Sequence, residues 1–219
     1  MVKFKEHFNG ISHLFGGLAA IVVTVLLVRA AVFRGGVRAG GPFLVYGLSM
    51  VLLYFASASY HLLDVSPRTH VRLRRLDHVS ISILIAGSYT PVCLIALGGR
   101  MGTSLCWAVW GLAGAVILTD VFWLDAPRGV KAGLYVALGW FAVWATIPLQ
   151  HAVGWGGIAW MLAGGLAYSV GALLYAIKKP NPWPGVVGFH EIWHLFVLAG
   201  SAGLLVLVWR YVLPLVKVL

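Results

Sequence analysis

Charge is the scarcest commodity in this chain. Only 10% of its 219 residues are charged, and just six of them are Asp or Glu. Soluble domains carry roughly a quarter charged residues, so a water-facing globule is excluded. Cysteine is nearly absent as well. Cys93 and Cys106 fall in or beside apolar segments and offer neither a disulfide framework nor a Cys-based zinc pattern, so they read as small packing residues. There is no internal repeat, which argues against a transporter assembled from two halves. No nucleic-acid-binding pattern is visible either.

Apolar sequence fills the space instead. Hydrophobic residues make up 61% of the chain and mean hydropathy is +0.93, the composition of an integral membrane protein. A formal net charge of +10 would suggest nucleic acid in a soluble protein. Here the Lys and Arg residues lie mainly in short loops, which suits lipid headgroups and topology control. Seven apolar stretches stand out, roughly 12–33, 42–63, 79–98, 103–123, 132–150, 156–177 and 190–212. Each approaches the ~20 residues that cross a bilayer core. They are separated by runs such as Arg34-Gly35-Gly36, Ser66-Pro67-Arg68, Gly98-Gly99-Arg100, Ala126-Pro127-Arg128 and Lys178-Lys179-Pro180.

Lipid supplies no partner for an open backbone, so continuous apolar runs of this length are helices. The predicted fold is an all-α membrane protein, one seven-helix transmembrane bundle spanning 1–219. Lys3 and Lys5 ahead of an apolar run look like a signal peptide. That run exceeds a signal core of ~7–15 residues, and Ala30-Ala31 is flanked by Arg29 and Arg34, so it reads as a retained first helix. Seven crossings put the termini on opposite sides. Ten Lys and Arg fall on the side of the N-terminus and six on the other, which predicts a cytoplasmic N-terminus and an outside C-terminus.

Polar groups are distributed unevenly. Glu6, Asp64, Asp77, Asp120, Asp125 and Glu191 all map to the proposed cytoplasmic end, as does every histidine except His151. That asymmetry implies a polar site recessed into the cytoplasmic half. His190 and His194 are one helical turn apart and share a face at the start of the last span. Imidazoles placed where hydrocarbon begins are costly unless something binds them. His61 ends the second span at the same depth, with Ser57 one turn before it. Three neutral imidazoles and a water make a tetrahedral zinc site with an open catalytic position. Asp77 is the candidate proton carrier and Ser57 a candidate hydrogen-bond donor to a developing oxyanion.

Each of these residues also has a plainer reading. The histidines can face headgroups, Asp77 can pair with Arg74 or Arg75, and Ser57 can be a packing residue. Glu191 points about 100° away from His190, as a rim residue or a support for the ligands. Asp120 either pairs with a basic loop residue or gates the cavity. Glu6, Asn9 and His13 brace the site or simply cap the first span. Ser80, Ser82, Ser88 and Thr90 either satisfy the backbone around Pro91 or line a cavity.

Taken together, Glu6…Asn9…His13, Ser57-x3-His61, Leu76-Asp77-His78, Ala86-Gly-Ser-Tyr-Thr-Pro91 and His190-Glu-Ile-Trp-His194 through Ser201 resemble the hemolysin III proteins, the bacterial branch of the progestin and adipoQ receptor (PAQR) superfamily. The run from Phe122 to Pro127 is also similar. The resemblance covers nearly the whole chain. It implies seven helices, an inside N-terminus, zinc on His61, His190 and His194, an aspartate matching Asp77 beside the zinc-bound water, and a serine matching Ser57 nearby. It also implies a multi-pass protein of the cell membrane. Eukaryotic relatives are hormone receptors with ceramidase-type activity. Adiponectin binding is not expected here, because the long N-terminal extension of the receptor branch is absent.

Three functions follow as expectations. The first is a zinc-dependent hydrolase of a lipid amide or ester, linked to membrane homeostasis. The second is a receptor or membrane-state sensor with structural zinc. The third is a pore-forming hemolysin, for which no amphipathic pore-lining repeat is apparent. The expected partners are the bilayer and a lipid substrate. A retinal pump is disfavoured because the last span has no lysine and Lys217 lies beyond it.

Overall fold

Glycine divides the longest helices of this protein. In the computed structural model, which describes residues 4–184 and 186–216 with side chains from His7 onward, helix α1 runs Phe4–Leu62. It is broken by Gly35 (φ −137°, ψ 20°) and Gly36 (φ 74°, ψ 179°). The Gly36 conformation is one that a side chain rarely tolerates. Beyond it the chain turns back on itself. Gly10 packs on Leu62, Gly17 on Phe55 and Gly47 on Thr24, so the two halves lie antiparallel with glycines admitting the close approach.

Helix α2 (Pro67–Pro91) continues through a π-wound segment, Val92–Leu97. Helix α3 is Gly99–Phe122. Helix α4 (Arg128–Trp140) passes through a 3₁₀ stretch, Phe141–Ala145, into α5 (Thr146–Ile177). A second break falls at Gly154 (φ 68°, ψ 176°). Trp140 Nε1 donates to Ser169 Oγ at 2.8 Å across that break, so α4 lies beside the later part of α5. Helix α6 (Phe189–Leu207) ends in π and 3₁₀ turns that reach Leu215.

Five of these helical stretches are long and apolar enough to cross a membrane: His7–Leu62, Pro67–Leu97, Gly99–Phe122, Arg128–Ile177 and Phe189–Leu215. No strand occurs among the described residues beyond an isolated bridge between Trp183 and Val187. The protein is an all-α, multi-pass protein of the cell membrane. Lys3 and Lys217, and the side chains of Lys5 and Glu6, lie outside the described residues.

The third predicted span differs at its start. The helix begins at Pro67, well before the apolar run at 79. Ser66 caps it by accepting from the Thr69 amide, and proline at the first helical position needs no amide partner. The first turns are therefore helical for local reasons, and they carry Arg74, Asp77 and His78 on a rigid rod.

Packing relies on small residues, as expected where lipid tails offer no hydrophobic drive between helices. Gly164 of α5 meets Gly203 and the Gly200 carbonyl of α6, and Gly171 meets Phe196 and Trp193. This antiparallel contact seats α6 at a fixed height. A first apolar cluster includes Leu27, Phe43, Tyr46, Leu84, Leu149 and Leu207. A second holds Ala86, Tyr89, Cys93, Val109 and Tyr135 between α2, α3 and α4. Cys93 is buried and both cysteines are free, as packing residues would be.

Candidate metal centre

The last turn of α1 and the first two turns of α6 end at the same level, and their imidazoles converge there. One ring nitrogen from each of His61, His190 and His194 lies within 4.8 Å of the others. The ring centroids form a near-equilateral triangle: 5.2 Å from His61 to His190, 4.9 Å from His61 to His194 and 5.1 Å from His190 to His194. The i, i+4 spacing of the α6 pair accounts for one edge. The other two follow because the antiparallel α1 halves bring residue 62 back beside residue 10, and the same start of α1 packs on α6 through Asn9 and His13.

The donor set suits a divalent cation of borderline softness. It has three imidazoles and no carboxylate, so zinc fits better than calcium or magnesium, which take oxygen ligands. His194 is 2% exposed and its Nδ1 has no hydrogen-bond partner. Burying a ring nitrogen unsatisfied in this way costs free energy unless a ligand or water engages it.

Around this triangle the α1 start supplies a second layer. Asn9 Nδ2 donates to Glu191 Oε1 at 3.2 Å, and Glu191 Oε2 accepts from the Gly188 amide at 2.8 Å. Glu191 is fully buried, so it is not a rim residue. Its direction away from His190 is as expected, but the first turns of α1 cover that face. One turn along from Asn9, His13 lies 4.0 Å from His194, centroid to centroid, and edge-on to Tyr54 at 5.1 Å. Both of its nitrogens are buried without partners. Asn9 and His13 thus brace α6 from the side rather than capping α1 at the interface. Asn181, one of the residues that separate the last two apolar runs, accepts from the Phe189 amide at 3.2 Å and donates to the Lys178 carbonyl, which fixes where α6 begins. The Asn-Pro flanks of this loop were the available signal.

A cavity of about 430 Å³ opens beside the rings. His13, Ser57, Asp77, His78, His190 and His194 line its polar end, and Leu204, Leu207 and Val208 line its apolar depth. Ser57 is 1% exposed and its hydroxyl reaches the Asp77 carboxylate. Asp77 is not the partner of Arg74, whose Nη1 lies 2.8 Å from Asp125. His78 lies beside Asp77, with Nδ1 to Oδ2 at 3.7 Å. His78 Nδ1 also lies 2.8 Å from the Arg74 carbonyl, which favours its protonated nitrogen there. Of the α2 hydroxyls, Thr90 bonds the Ala86 carbonyl and receives Trp110 Nε1, as packing residues do, whereas Ser88 lines the cavity.

Asp120 is completely buried. Its Oδ1 accepts from Tyr135 at 2.8 Å and lies 3.1 Å from Lys131 Nζ, and its Oδ2 has no partner. The pairing reading of Asp120 therefore holds. The basic partner is a helical residue of α4, itself only 5% exposed.

Residues 1–205 match the family model described as haemolysin-III related. A hemolysin-3 of Bacillus cereus is 38% identical over 212 residues, covering 96% of this chain and 93% of that protein. A hemolysin-3 homolog of Bacillus subtilis is 35% identical, with 93% of each chain covered. A more distant match is an adiponectin receptor protein of Drosophila melanogaster, 26% identical over 87% of this chain but only 47% of the receptor.

Proposed function

The chain belongs to the haemolysin-III-related family, and on that premise we propose that it is a seven-crossing, zinc-binding membrane protein that hydrolyses a lipid amide or ester. Gly36 and Gly154 each divide one long helical stretch into two crossings, which raises five stretches to seven. The excess of Lys and Arg on the N-terminal side supports a cytoplasmic N-terminus and an outside C-terminus. The histidine cluster then sits in the cytoplasmic half.

The convergence of His61, His190 and His194, the latter two lining a cavity that also reaches Leu204, Leu207 and Val208, carries this reading. The three imidazoles would hold the ion, which would supply Lewis-acid polarisation and acidify water toward neutrality. Asp77 takes the proton released by the attacking water and returns it to the leaving amine or alcohol. Ser57, whose hydroxyl reaches Asp77, has one proton to give: it orients that carboxylate while Asp77 is ionised, and it is freed to donate to charge developing on the carbonyl oxygen once Asp77 has taken the water proton. The apolar depth takes the acyl chain and excludes water from the reacting end.

Purified protein incubated with a panel of N-acyl and O-acyl lipids tests the proposal. Turnover is expected from wild type and loss of turnover from His194→Ala and Asp77→Asn. Equal background rates in all three would overturn it.

A receptor or sensor with structural zinc is supported by a different fact. The three ligands come from only two helices, α1 and α6, so an ion there would also tie those helices together. Removal of metal would then lower thermal stability in a protein that turns over none of the panel.

A further inference from the structure

Three cations line the cavity that the histidines head: Arg74 from α2, and Arg128 and Lys131 from α4. Among the described residues a single carboxylate, Asp77, lines it with them. Each cation is braced from behind. Arg74 is held by Asp125 at 2.8 Å and by the Leu124 carbonyl. The Arg128 guanidinium lies 5.1 Å over the Tyr175 ring and 5.6 Å over Phe189, and no carboxylate pairs with it among the described residues. Lys131 is pinned 3.1 Å from Asp120, and an ammonium carries three protons, so that one contact leaves at least two of them without an acceptor among the described residues. A 95%-buried ammonium with unused protons, facing a cavity, is costly in a membrane protein unless something accepts from it.

Arg128 and Lys131 are three residues apart, so they share a face of α4 in its first turn, where the helix dipole is also positive. Tyr175, beneath Arg128, is 5.7 Å from His190. The cationic wall therefore stands next to the histidine cluster, in a cavity that Leu204, Leu207 and Val208 also line.

We propose that this wall is a headgroup subsite, and that the cavity takes an acyl lipid bearing a phosphate. A carboxylate would be satisfied by one guanidinium fork, whereas a phosphate presents several oxygens that match two guanidiniums and an ammonium arriving from two helices. The apolar depth holds the chain. The inference deepens the reading of the cavity as a lipid site and names the class of lipid.

Isothermal titration of the purified full chain in a neutral detergent tests it with three probes: dodecyl phosphate, N-methyl dodecanamide and inorganic phosphate. Dodecyl phosphate is expected to bind about tenfold tighter than either of the others, the scale of one charge-assisted hydrogen bond. Arg128→Gln and, separately, Arg74→Gln are expected to abolish that preference while leaving the thermal midpoint in place. His194→Ala is expected to keep it. Equal binding of the phosphate and the amide by wild type overturns the proposal, as does a preference that survives both arginine variants. A preference lost in His194→Ala but kept in Arg128→Gln would assign the phosphate to the metal centre and overturn it too. Inorganic phosphate binding as tightly as dodecyl phosphate would mark a site for the free anion and not for a lipid. Binding is read without turnover. Phosphate preference in a protein that hydrolyses nothing upholds the subsite and sinks the hydrolase; hydrolysis without phosphate preference does the reverse.

Discussion

Asn9 and Glu191 meet across 182 positions of sequence, side-chain amide to carboxylate at 3.2 Å, in a spot that excludes solvent from both. The same carboxylate accepts from the Gly188 amide, so one residue joins the start of α1 to the first turn of α6 and thereby sets the position of His190 and His194. Glu191→Ala leaves two buried donors unpaired and is expected to cost about 2–4 kcal/mol. Asn9→Ala leaves only one face of the carboxylate bare and is expected to cost about half of that. Unfolding in detergent micelles with and without added zinc checks both. Equal effects of the two variants would show that the carboxylate is not the hub.

His13 touches a proposed ligand without belonging to the ligand triangle. His13→Ala is therefore expected to retain about one metal ion per chain but to hold it roughly ten- to a hundredfold less tightly, as loss of an outer support does. His61→Ala is expected to retain none. Mass-spectrometric metal content followed by chelator competition separates the two outcomes, and cobalt substitution reads a change in ligand geometry through its visible spectrum. Full loss of metal from His13→Ala would make it a ligand.

The Asp120–Lys131 pair lends itself to a mutant cycle. Each single change, Asp120→Asn or Lys131→Met, strands a charge in a buried position and is expected to destabilise by about 3–5 kcal/mol. The double change removes both charges and is expected to recover most of that loss. Tyr135→Phe deletes one hydrogen bond to the carboxylate and should cost about 1.5–3 kcal/mol. Additive single and double effects would mean the two charges are independently solvated.

Two glycines of α3 should behave oppositely. A methyl at Gly102 meets the Cys93 carbonyl of the π-wound segment, a backbone atom with little room to retreat. A methyl at Gly111 meets nothing within 4 Å. Gly102→Ala is expected to cost about 1–3 kcal/mol and Gly111→Ala to stay within about 1 kcal/mol of wild type. Thermal midpoints in detergent measure the difference.

The sequence made the histidine site legible because membrane depth is readable along a single chain. His61 closes one apolar run and His190 opens another, so they share a level whatever the lateral arrangement of the helices. The breaks near Gly36 and Gly154 were readable for a similar reason, as interruptions of apolar length. Lateral neighbours were not. Nothing in the order of residues says that Lys131 points at Asp120 rather than at headgroups, because that depends on the rotation of α3 against α4. Helical geometry gives the direction of Glu191 from His190 but leaves open whether it meets solvent at a rim or supports the ligands; the covering by Asn9, which decides for the second, depends on where α1 starts. The π and 3₁₀ turns at Val92–Leu97 and Phe141–Ala145 left no periodic trace to read.

The three rings of the histidine triangle belong to residues 61, 190 and 194, so two of them are synthesised well over a hundred residues after the first. A nascent chain halted anywhere before α6 presents a solitary imidazole, which no divalent ion would grip for long. Any ion held there must be acquired after the final helix has threaded into the bilayer beside the first. Occupancy of the triangle is thereby contingent on the insertion of α6 beside α1.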